Sequence, residues 1–391
     1  MDNLAVQVIS DTANSSKIFC KFLSANDTGE TGTHQEGIYI PKNSTSLLFD
    51  EPCEKGTNKE IESSITWQND FKTTARFKYY GRGTRNEYRI TRFGNDFPFL
   101  KPKYTGALFI LLRMNDQTYK GYVLNTDDEI TYFLDYFGIT STETNRLIGD
   151  SDIPANVAEQ QAILSYVQNF KSDFPTSDEM SLQAQYIQNT VYNKLEEIQT
   201  NPDKKLLAWV SVEYNLFKAF EQAQYGTNIK KGFNNMDEFI HIANQVLNRR
   251  KSRAGKSLEH HLSALFKGNN LSFTSQGITE GKKRPDFIFP SVEAYHNHSF
   301  SVGKLTTLAA KTTCKDRWRQ IINEADRLRD KKKFLCTMQQ GISKDQLKEM
   351  SEEKVILVVP QDFISYYPKE YQSEIWSVNK FIQYVKELEN N

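Results

Sequence analysis

Three side chains in the second half of the chain, Asp286, Lys311 and Glu324, have types and an order suited to one kind of chemistry. Carboxylates supply the hard oxygen donors that hold Mg²⁺, which stabilises charge on a phosphoryl group and lowers the pKa of bound water. An ammonium group beside them positions or activates that water, so the set suits phosphodiester hydrolysis. Asp286 follows Pro285 and opens DFIFP (286–290), which reads as a strand, and Lys311 closes LTTLAAK (305–311), a second strand. Along that second strand Leu305, Thr307, Ala309 and Lys311 share one face. A nuclease core of this kind usually carries an acid two residues before the lysine, where this chain has Ala309. The helix expected over DRWRQIINEADRL (316–328) offers a replacement: Glu324 lies beside its apolar stripe of Trp318, Ile321, Ile322 and Ala325. Glu259, on the expected helix SLEHHLSALF (257–266), would add a carboxylate for a second ion. Taken singly, these residues read better as a strand start, a surface lysine and a helix-flank acid than as catalytic groups; taken as an ordered set, the catalytic reading competes with the structural one.

The elements that must position them belong to an α/β arrangement. KVILVVP (354–360) is a short apolar run typical of a buried strand, and VNKFIQYVKELE closes the chain as a helix. Upstream, LQAQYIQNTVYNKLEEIQ (182–199), LLAWVSVEYNLFKAFEQAQY (206–225) and MDEFIHIANQVLNRR (236–250) carry apolar residues at helical spacing. Residues 1 to about 150 have a different character. GIYIPK, ARFKYY, EYRITRF, GALFILLRM and YKGYVLN alternate or run β-rich between Gly, Asn and Pro, which predicts a small barrel or sandwich. The expected division is a mainly-β domain over 1–155, a linker over 156–180 and an α/β domain over 181–391.

A chain of 391 residues suits two or three domains, and its 25% charged and 38% hydrophobic residues suit a soluble globular protein. No apolar run approaches a membrane span, and the N-terminus lacks the basic and apolar segments of a secretory signal, so a cytoplasmic location is expected. Cys20, Cys53, Cys314 and Cys336 are scattered, without a C-x-x-C pair, and read as reduced thiols. The pairs His260–His261 and His296/His298 lack zinc-ligand spacing. The net charge of zero hides local fields: residues 72–92 hold seven basic side chains against one acidic, and RRKSRAGK (249–256) holds five in eight positions. With KTTCKDRWR (311–319), also basic, these runs point to a nucleic-acid partner.

The stretches RRKSRAGKSLE, KKRPDFIFPS and LAAKTTCKDRWRQIINEADR closely resemble the C-terminal domain of the EcoRII family of restriction endonucleases. That domain belongs to the PD-(D/E)XK nucleases, in the branch whose second acidic ligand has moved to the helix after the lysine strand. SANDTGETGTHQEGIYIP (24–41) and TRNEYRITRFG (84–94) resemble the family's N-terminal effector domain, a B3-like DNA-binding pseudobarrel. The likeness spans both domains in order and is weak over 42–75 and 110–205.

The resemblance implies that Asp286 and Glu324 bind Mg²⁺, that Lys311 is the catalytic lysine and that Glu259 is an auxiliary carboxylate. Lys315, Asp316 and Arg317 match a basic–acidic–basic triplet that reads C·G pairs; a cation donates to guanine O6 and N7, and a carboxylate accepts from cytosine N4. A solvated helix start is the plainer reading of that triplet. His34, Tyr39, Arg85, Glu87 and Arg89 fall on effector-domain DNA contacts. Family lysines are replaced by Gly83 and Tyr88, and Arg82 would compensate for the first. In the pocket that holds extruded bases, the family's aromatic corresponds to Tyr214 but its arginine to Val210; Trp209 is a substitute stacking surface, and helix-core packing is the alternative for both aromatics. The implied protein is a Mg²⁺-dependent homodimer that cuts both strands at a CC-centre-GG site such as CCWGG. A further copy of the site would bind the N-terminal domain and relieve autoinhibition, and a cognate cytosine methyltransferase would be the partner enzyme. The rivals are a non-catalytic B3-like DNA-binding regulator and a mismatch-directed repair nickase; an RNA-binding protein lacks any supporting motif.

Overall fold

Strict alternation in KTTARFKYY and EYRIT turns Phe77, Tyr79, Tyr88 and Ile90 inward and leaves Arg76, Lys78 and Glu87 on the opposite face. A computed structural model describes residues 4–30, 37–94, 97–149, 157–172 and 174–390. Its first part contains α1 (Leu4–Thr12), β1 (Ser15–Phe22), β2 (Ile38–Ile40), β3 (Asn58–Trp67), β4 (Lys72–Tyr80), β5 (Glu87–Thr91), β6 (Leu108–Met114), β7 (Tyr119–Leu124), α2 (Asp127–Phe137) and β8 (Arg146–Leu147). The strands form one eight-stranded sheet in the order β2-β5-β4-β3-β7-β6-β1-β8, antiparallel except where β3 meets β7. One face buries Phe19, Trp67, Phe77 and Phe109; the other packs Cys20, Ile110 and Tyr122 against Val8 of α1 and Ile130 and Phe133 of α2. Helix α2 follows directly from its sequence. Thr126 caps its N-terminus by accepting from Glu129 N, Ile130, Phe133 and Leu134 form the buried stripe, and Gly138 ends it at φ +64°.

The second part contains α3 (Val157–Asn169), α4 (Ser177–Tyr192), α5 (Glu197–Thr200), α6 (Pro202–Lys231), α7 (Met236–Gly268), β9 (Thr274–Ser275), β10 (Phe287–Phe289), α8 (Val292–His296), β11 (Thr306–Lys311), β12 (Lys333–Thr337), α9 (Lys344–Glu352), β13 (Val355–Val359), β14 (Trp376–Ser377) and α10 (Val378–Asn390). The sheet runs β14-β13-β12-β11-β10-β9, parallel from β11 to β14 and antiparallel at β9 and β10. Its core joins Leu262 and Phe266 of α7, Phe287, Leu308, Phe334, Val358 and Phe381. Asp203, in the first turn of α6, pins α10 to this body. Its carboxylate accepts from Gln361 N (3.0 Å), Val378 N (2.8 Å) and Asn379 N (3.0 Å). Among the described residues no helix is long and apolar enough to cross a membrane.

Three expectations change. The stretch expected as a linker, 156–180, contributes α3 and the start of α4; Ile163 and Met180 are buried with Leu216 and Phe220 of α6, so apolar packing makes this segment part of the second domain. The helices expected over 236–250 and 257–266 are one 33-residue α7 that carries the basic run RRKSRAGK in its middle. Residues 316–328 form 3₁₀ turns, Arg317–Asn323 and Asp326–Leu328, rather than an α-helix. Their backbone groups find partners elsewhere: Thr279 Oγ1 donates to Glu324 O (2.6 Å), and Glu280 accepts from Asp326 N (3.0 Å) and Arg327 N (3.2 Å).

The two domains meet along a polar seam. Gln339 Nε2 donates to Gly106 O (2.7 Å), Gln340 Nε2 to Ser141 O (2.8 Å), and Lys344 N to Glu30 Oε1 (3.0 Å). Gly106 (φ +80°) and Gly341 (φ +106°) touch backbone to backbone there: a Cβ on Gly106 would stand 2.1 Å from Gly341 O.

Candidate active site

Register brings the first two chemical groups together. Phe287 pairs with Leu308, so Asp286 sits beside the end of β11, where its Oδ2 accepts from Ala310 N at 2.7 Å and lies 3.6 Å from Lys311 Nζ. Asp286 is buried, whereas the Lys311 side chain is 30% exposed, so its ammonium group reaches solvent. Glu324, at the end of the first 3₁₀ turn, faces the same point: burial, then the charge of Asp286, push its carboxyl up to about 7, and Lys311 pulls partly back. Glu259 on α7 completes the group. Its carboxyl is raised by burial and by Asp286, while Gln276 and Lys311 work the other way.

The arrangement gathers three like-charged oxygen-donor groups around one amine. Among the described residues no three acids, histidines or cysteines already converge tightly enough to encage an ion. The donor set nevertheless suits Mg²⁺, which commonly takes only one or two carboxylates and fills its other positions with water and phosphate oxygens. The mutual repulsion of Asp286, Glu324 and Glu259 is what a cation would relieve.

Sequence reasoning did not single out Gln276. It follows β9 in the left-handed region (φ +54°), its N–H donates to Asp286 O (3.0 Å), and its amide Nε2 donates both to Asp286 Oδ1 (2.8 Å) and to Glu259 Oε2 (2.9 Å). No spacing or composition signal marks it.

The triplet expected to read bases is engaged by the other domain. The Asp127 carboxylate, at the start of α2, accepts from Lys315 N (2.9 Å), Asp316 N (2.7 Å) and Arg317 N (2.8 Å). Lys315 Nζ donates to Thr105 O (2.9 Å), Asp316 Oδ1 accepts from Asp127 N (3.1 Å), and Arg317 pairs with Asp128. Burial lowers the Lys315 ammonium to about 8, against the pull of Asp127 and Asp316. Burial, and then Asp127, raise Asp316 to about 6. Burial also opposes ionisation of Asp127, yet the hydrogen bonds from Asp316 and the three N–H groups outweigh it and hold Asp127 below its ordinary value. Arg317 and Asp316 share with Lys311, Gln320 and Asp128 the wall of a cavity of about 510 Å³, so α2 lies against the mouth of the site. The capping signature Thr126-Asp-Asp-Glu129 marks this helix in the sequence, but nothing local says that it docks here.

The two aromatics behave differently. Trp209 is 1% exposed in the second domain's core, with Nε1 bonded to Asn189 Oδ1 (3.2 Å), its ring 5.8 Å from the His261 ring and Lys205 Nζ 5.6 Å from its centre. Core packing therefore wins for Trp209, and it offers no stacking face to a base. Tyr214 is partly buried at the seam, with the guanidinium groups of Arg146 at 5.4 Å and Arg253 at 5.8 Å from its ring. Val210 is buried on the same helix.

In the first domain, pairing sets Tyr39 opposite Arg89 and Arg89 opposite Lys78, one row across β2, β5 and β4. Glu87 accepts from Arg89 Nη2 (3.4 Å), and Arg85 lies over the Tyr80 ring at 5.4 Å. Arg82 is exposed beside Gly83 in the β4–β5 turn, and Tyr88 turns into the core. His34 lies outside the described residues.

Comparison with known proteins agrees with this architecture. A family model described as "EcoRII C terminal" matches residues 217–382, and one described as "Restriction endonuclease EcoRII, N-terminal" matches 12–131. The type II restriction enzyme EcoRII of Escherichia coli is 38% identical over 387 residues, covering 93% of this chain and 93% of that one. The type II restriction enzyme SsoII of Shigella sonnei is 28% identical over 118 residues, 28% of this chain and 37% of its own. Among solved structures, metal-depleted Ecl18kI in complex with uncleaved DNA is similar over 59% of this chain and 85% of its own, with a TM-score of 0.46 and 18% identity. The PspGI–substrate DNA complex is similar over 56% and 96%, with a TM-score of 0.45 and 15% identity. By identity along nearly its whole length, and by both family models, the chain belongs to the EcoRII family of type II restriction enzymes.

Proposed function

We propose that this protein is a type II site-specific deoxyribonuclease that hydrolyses both strands of DNA at a CC-centre-GG site such as CCWGG. What supports the reading is the Asp286–Lys311 pair at the end of β11, with Glu259 joined to Asp286 through Gln276 and Glu324 within electrostatic reach, in a chain that both EcoRII family models match. Asp286 and Glu324 would hold Mg²⁺, with Glu259 as the auxiliary carboxylate. Bound there, the ion supplies charge stabilisation at phosphorus and a water of lowered pKa. Ala310 N and Gln276 keep the Asp286 carboxylate in one orientation. Lys311, part-exposed beside it, would orient the water that attacks phosphorus; the P–O3′ bond breaks as the new P–O bond forms, leaving a 5′-phosphate and a 3′-hydroxyl.

Lys315, Asp316 and Arg317 would read the outer C·G pairs once α2 has moved away, and Tyr214 is the candidate for a flipped-base pocket. The effector face would be B3-like: Tyr39, Arg89 and Glu87 on the strands, Arg82 and Arg85 in the turn between β4 and β5, together with His34. Autoinhibition by the first domain is supported by the Asp127 bonds to 315–317 and by Arg317–Asp128, which occupy the reading loop. A second copy of the site on the effector face would favour undocking. The enzyme would act as a cytoplasmic homodimer alongside a cytosine methyltransferase that protects host sites.

The test is direct. Purified protein with Mg²⁺ is expected to linearise and fragment a plasmid carrying several unmethylated CCWGG sites, and sequencing the ends gives the cut position. An intact plasmid would sink the reading. Asp286→Ala is expected to lose about 10³-fold or more in cleavage, since several kcal/mol of transition-state stabilisation go with the ion. The same variant should keep its DNA affinity; continued cutting would remove the catalytic assignment, and nicking of one strand only would favour the repair rival.

A further inference from the structure

We infer that Gln276 is a positioning residue for the divalent ion: its neutral amide ties Asp286 to Glu259 and sets their spacing before the ion arrives. This rests on the nuclease reading above. Two carboxylates that share a site repel each other and raise each other's protonation. Lys311, 3.6 Å from Asp286 Oδ2, offsets part of that repulsion, and a neutral donor that spans the two acids sets their spacing. The amide of Gln276 does this with both of its hydrogens, one to Asp286 Oδ1 at 2.8 Å and one to Glu259 Oε2 at 2.9 Å. Ala310 N holds the other oxygen of Asp286 at 2.7 Å, so each oxygen of that carboxylate accepts from an uncharged donor, with the Lys311 ammonium group 3.6 Å from the second.

The backbone supports the same role. Gln276 is a non-glycine residue at φ +54°, a conformation an L side chain adopts at a cost, and it is exposed, so burial of its own side chain does not explain it. What the conformation achieves is aim: it ends β9 and turns the amide between the two acids while Gln276 N bonds Asp286 O at 3.0 Å. A lysine or arginine here would also bridge the acids, but its charge would compete with the ion. A glutamate would add a fourth repelling group. The amide alone holds the acids without opposing the cation, in the way that outer groups orient the ligands of metal sites.

The experiment compares wild type with Gln276→Gly, which removes the amide yet accepts the positive φ, and with Gln276→Ala. Calorimetric titration of the full-length protein with Ca²⁺ measures ion affinity without turnover, and cleavage at varied Mg²⁺ separates the half-saturating concentration from kcat. Both variants are expected to bind Ca²⁺ about 10-fold or more weakly, the range found when groups that orient metal ligands are lost. The Mg²⁺ midpoint should rise by the same factor, kcat at saturating Mg²⁺ should stay within about threefold, and metal-free DNA affinity should not change. Wild-type Ca²⁺ affinity in Gln276→Gly would overturn the proposal. So would loss of folding or of metal-free DNA binding in that variant, because the amide would then be a structural brace. Asp286→Ala is the control: if it still cleaves, the nuclease reading itself fails, whereas a dead Asp286→Ala beside a Gln276→Gly of wild-type affinity removes only the role of Gln276.

Discussion

Two buried aspartates in this molecule make the same set of bonds to different ends. Asp203 accepts three backbone N–H groups from Gln361, Val378 and Asn379 inside the catalytic domain. Asp127 accepts three from Lys315, Asp316 and Arg317, but reaches them from the other domain. Around Asp203 the surroundings are the apolar core of α6, β14 and α10, and burial raises its carboxyl. Around Asp127 they are charged: Arg317, Asp128, Lys315 and Asp316 share the seam, and every one of these groups would be well solvated if the domains parted. On the proposed reading one device is a permanent pin and the other a latch, and what would separate them is whether water can take over the orphaned donors.

The largest effect should fall on the pin. Asp203→Ala leaves buried N–H groups unmatched and is expected to cost roughly 3 kcal/mol of stability, read by denaturant unfolding, with no change in the ratio of single-site to multi-site cleavage. Asp127→Ala should do the opposite. It is expected to leave stability within about 1 kcal/mol and to raise cleavage of a single-site plasmid by about 10- to 100-fold, since ~1.5–3 kcal/mol of charge-assisted bonding leaves the docked form alone. A destabilised Asp127→Ala with unchanged single-site cleavage would erase the distinction between the two.

Proton linkage sharpens it further. Asp316 is raised to about 6 when docked, so it favours docking fully below its ordinary value near 3.8, and that contribution fades as pH rises through 6. Lys315 is lowered to about 8, so its contribution is present above its free value and is lost as pH falls through 8. Docking, followed by a fluorescence-transfer pair across the seam without metal, should therefore be weakest between about pH 6 and 8 and strengthen on the acid side. Asp316→Asn should abolish the acid limb; an acid limb that survives it would assign the effect to another group. The smallest change is expected at Tyr214, whose ring lies between Arg146 and Arg253: Tyr214→Ala removes contacts worth ~0.5–1 kcal/mol and should alter docking by less than about 10-fold.

How much of this was legible beforehand depends on the range of the interaction. Asp286, Lys311 and Glu324 stood out because strand periodicity and an apolar stripe act over a few residues, and the same local patterns gave β4, β5, β6, β13 and α10. The 3₁₀ turns around Glu324 were not legible, because their backbone partners, Thr279 and Glu280, come from a loop more than forty residues earlier. Gln276 was invisible for a similar reason: its meaning lies in two acceptors, one on α7 and one before β10. The engagement of Lys315–Arg317 by Asp127 spans nearly half the chain, and for Trp209 helical spacing alone left stacking surface and core packing both open.

The glycine contact at the seam has a consequence for regulation. Gly106 and Gly341 leave no clearance for even a methyl group, so the domains seat completely or not at all; a partly seated arrangement would forfeit the bonds from Gln339 and Gln340 together. On the proposed reading, in which docking represses cleavage, graded repression would come from time-sharing between two discrete arrangements, each molecule being off or on at any instant. Gly106→Ala, a single carbon that adds no charge, would then be a wedge that biases this switch toward the on position.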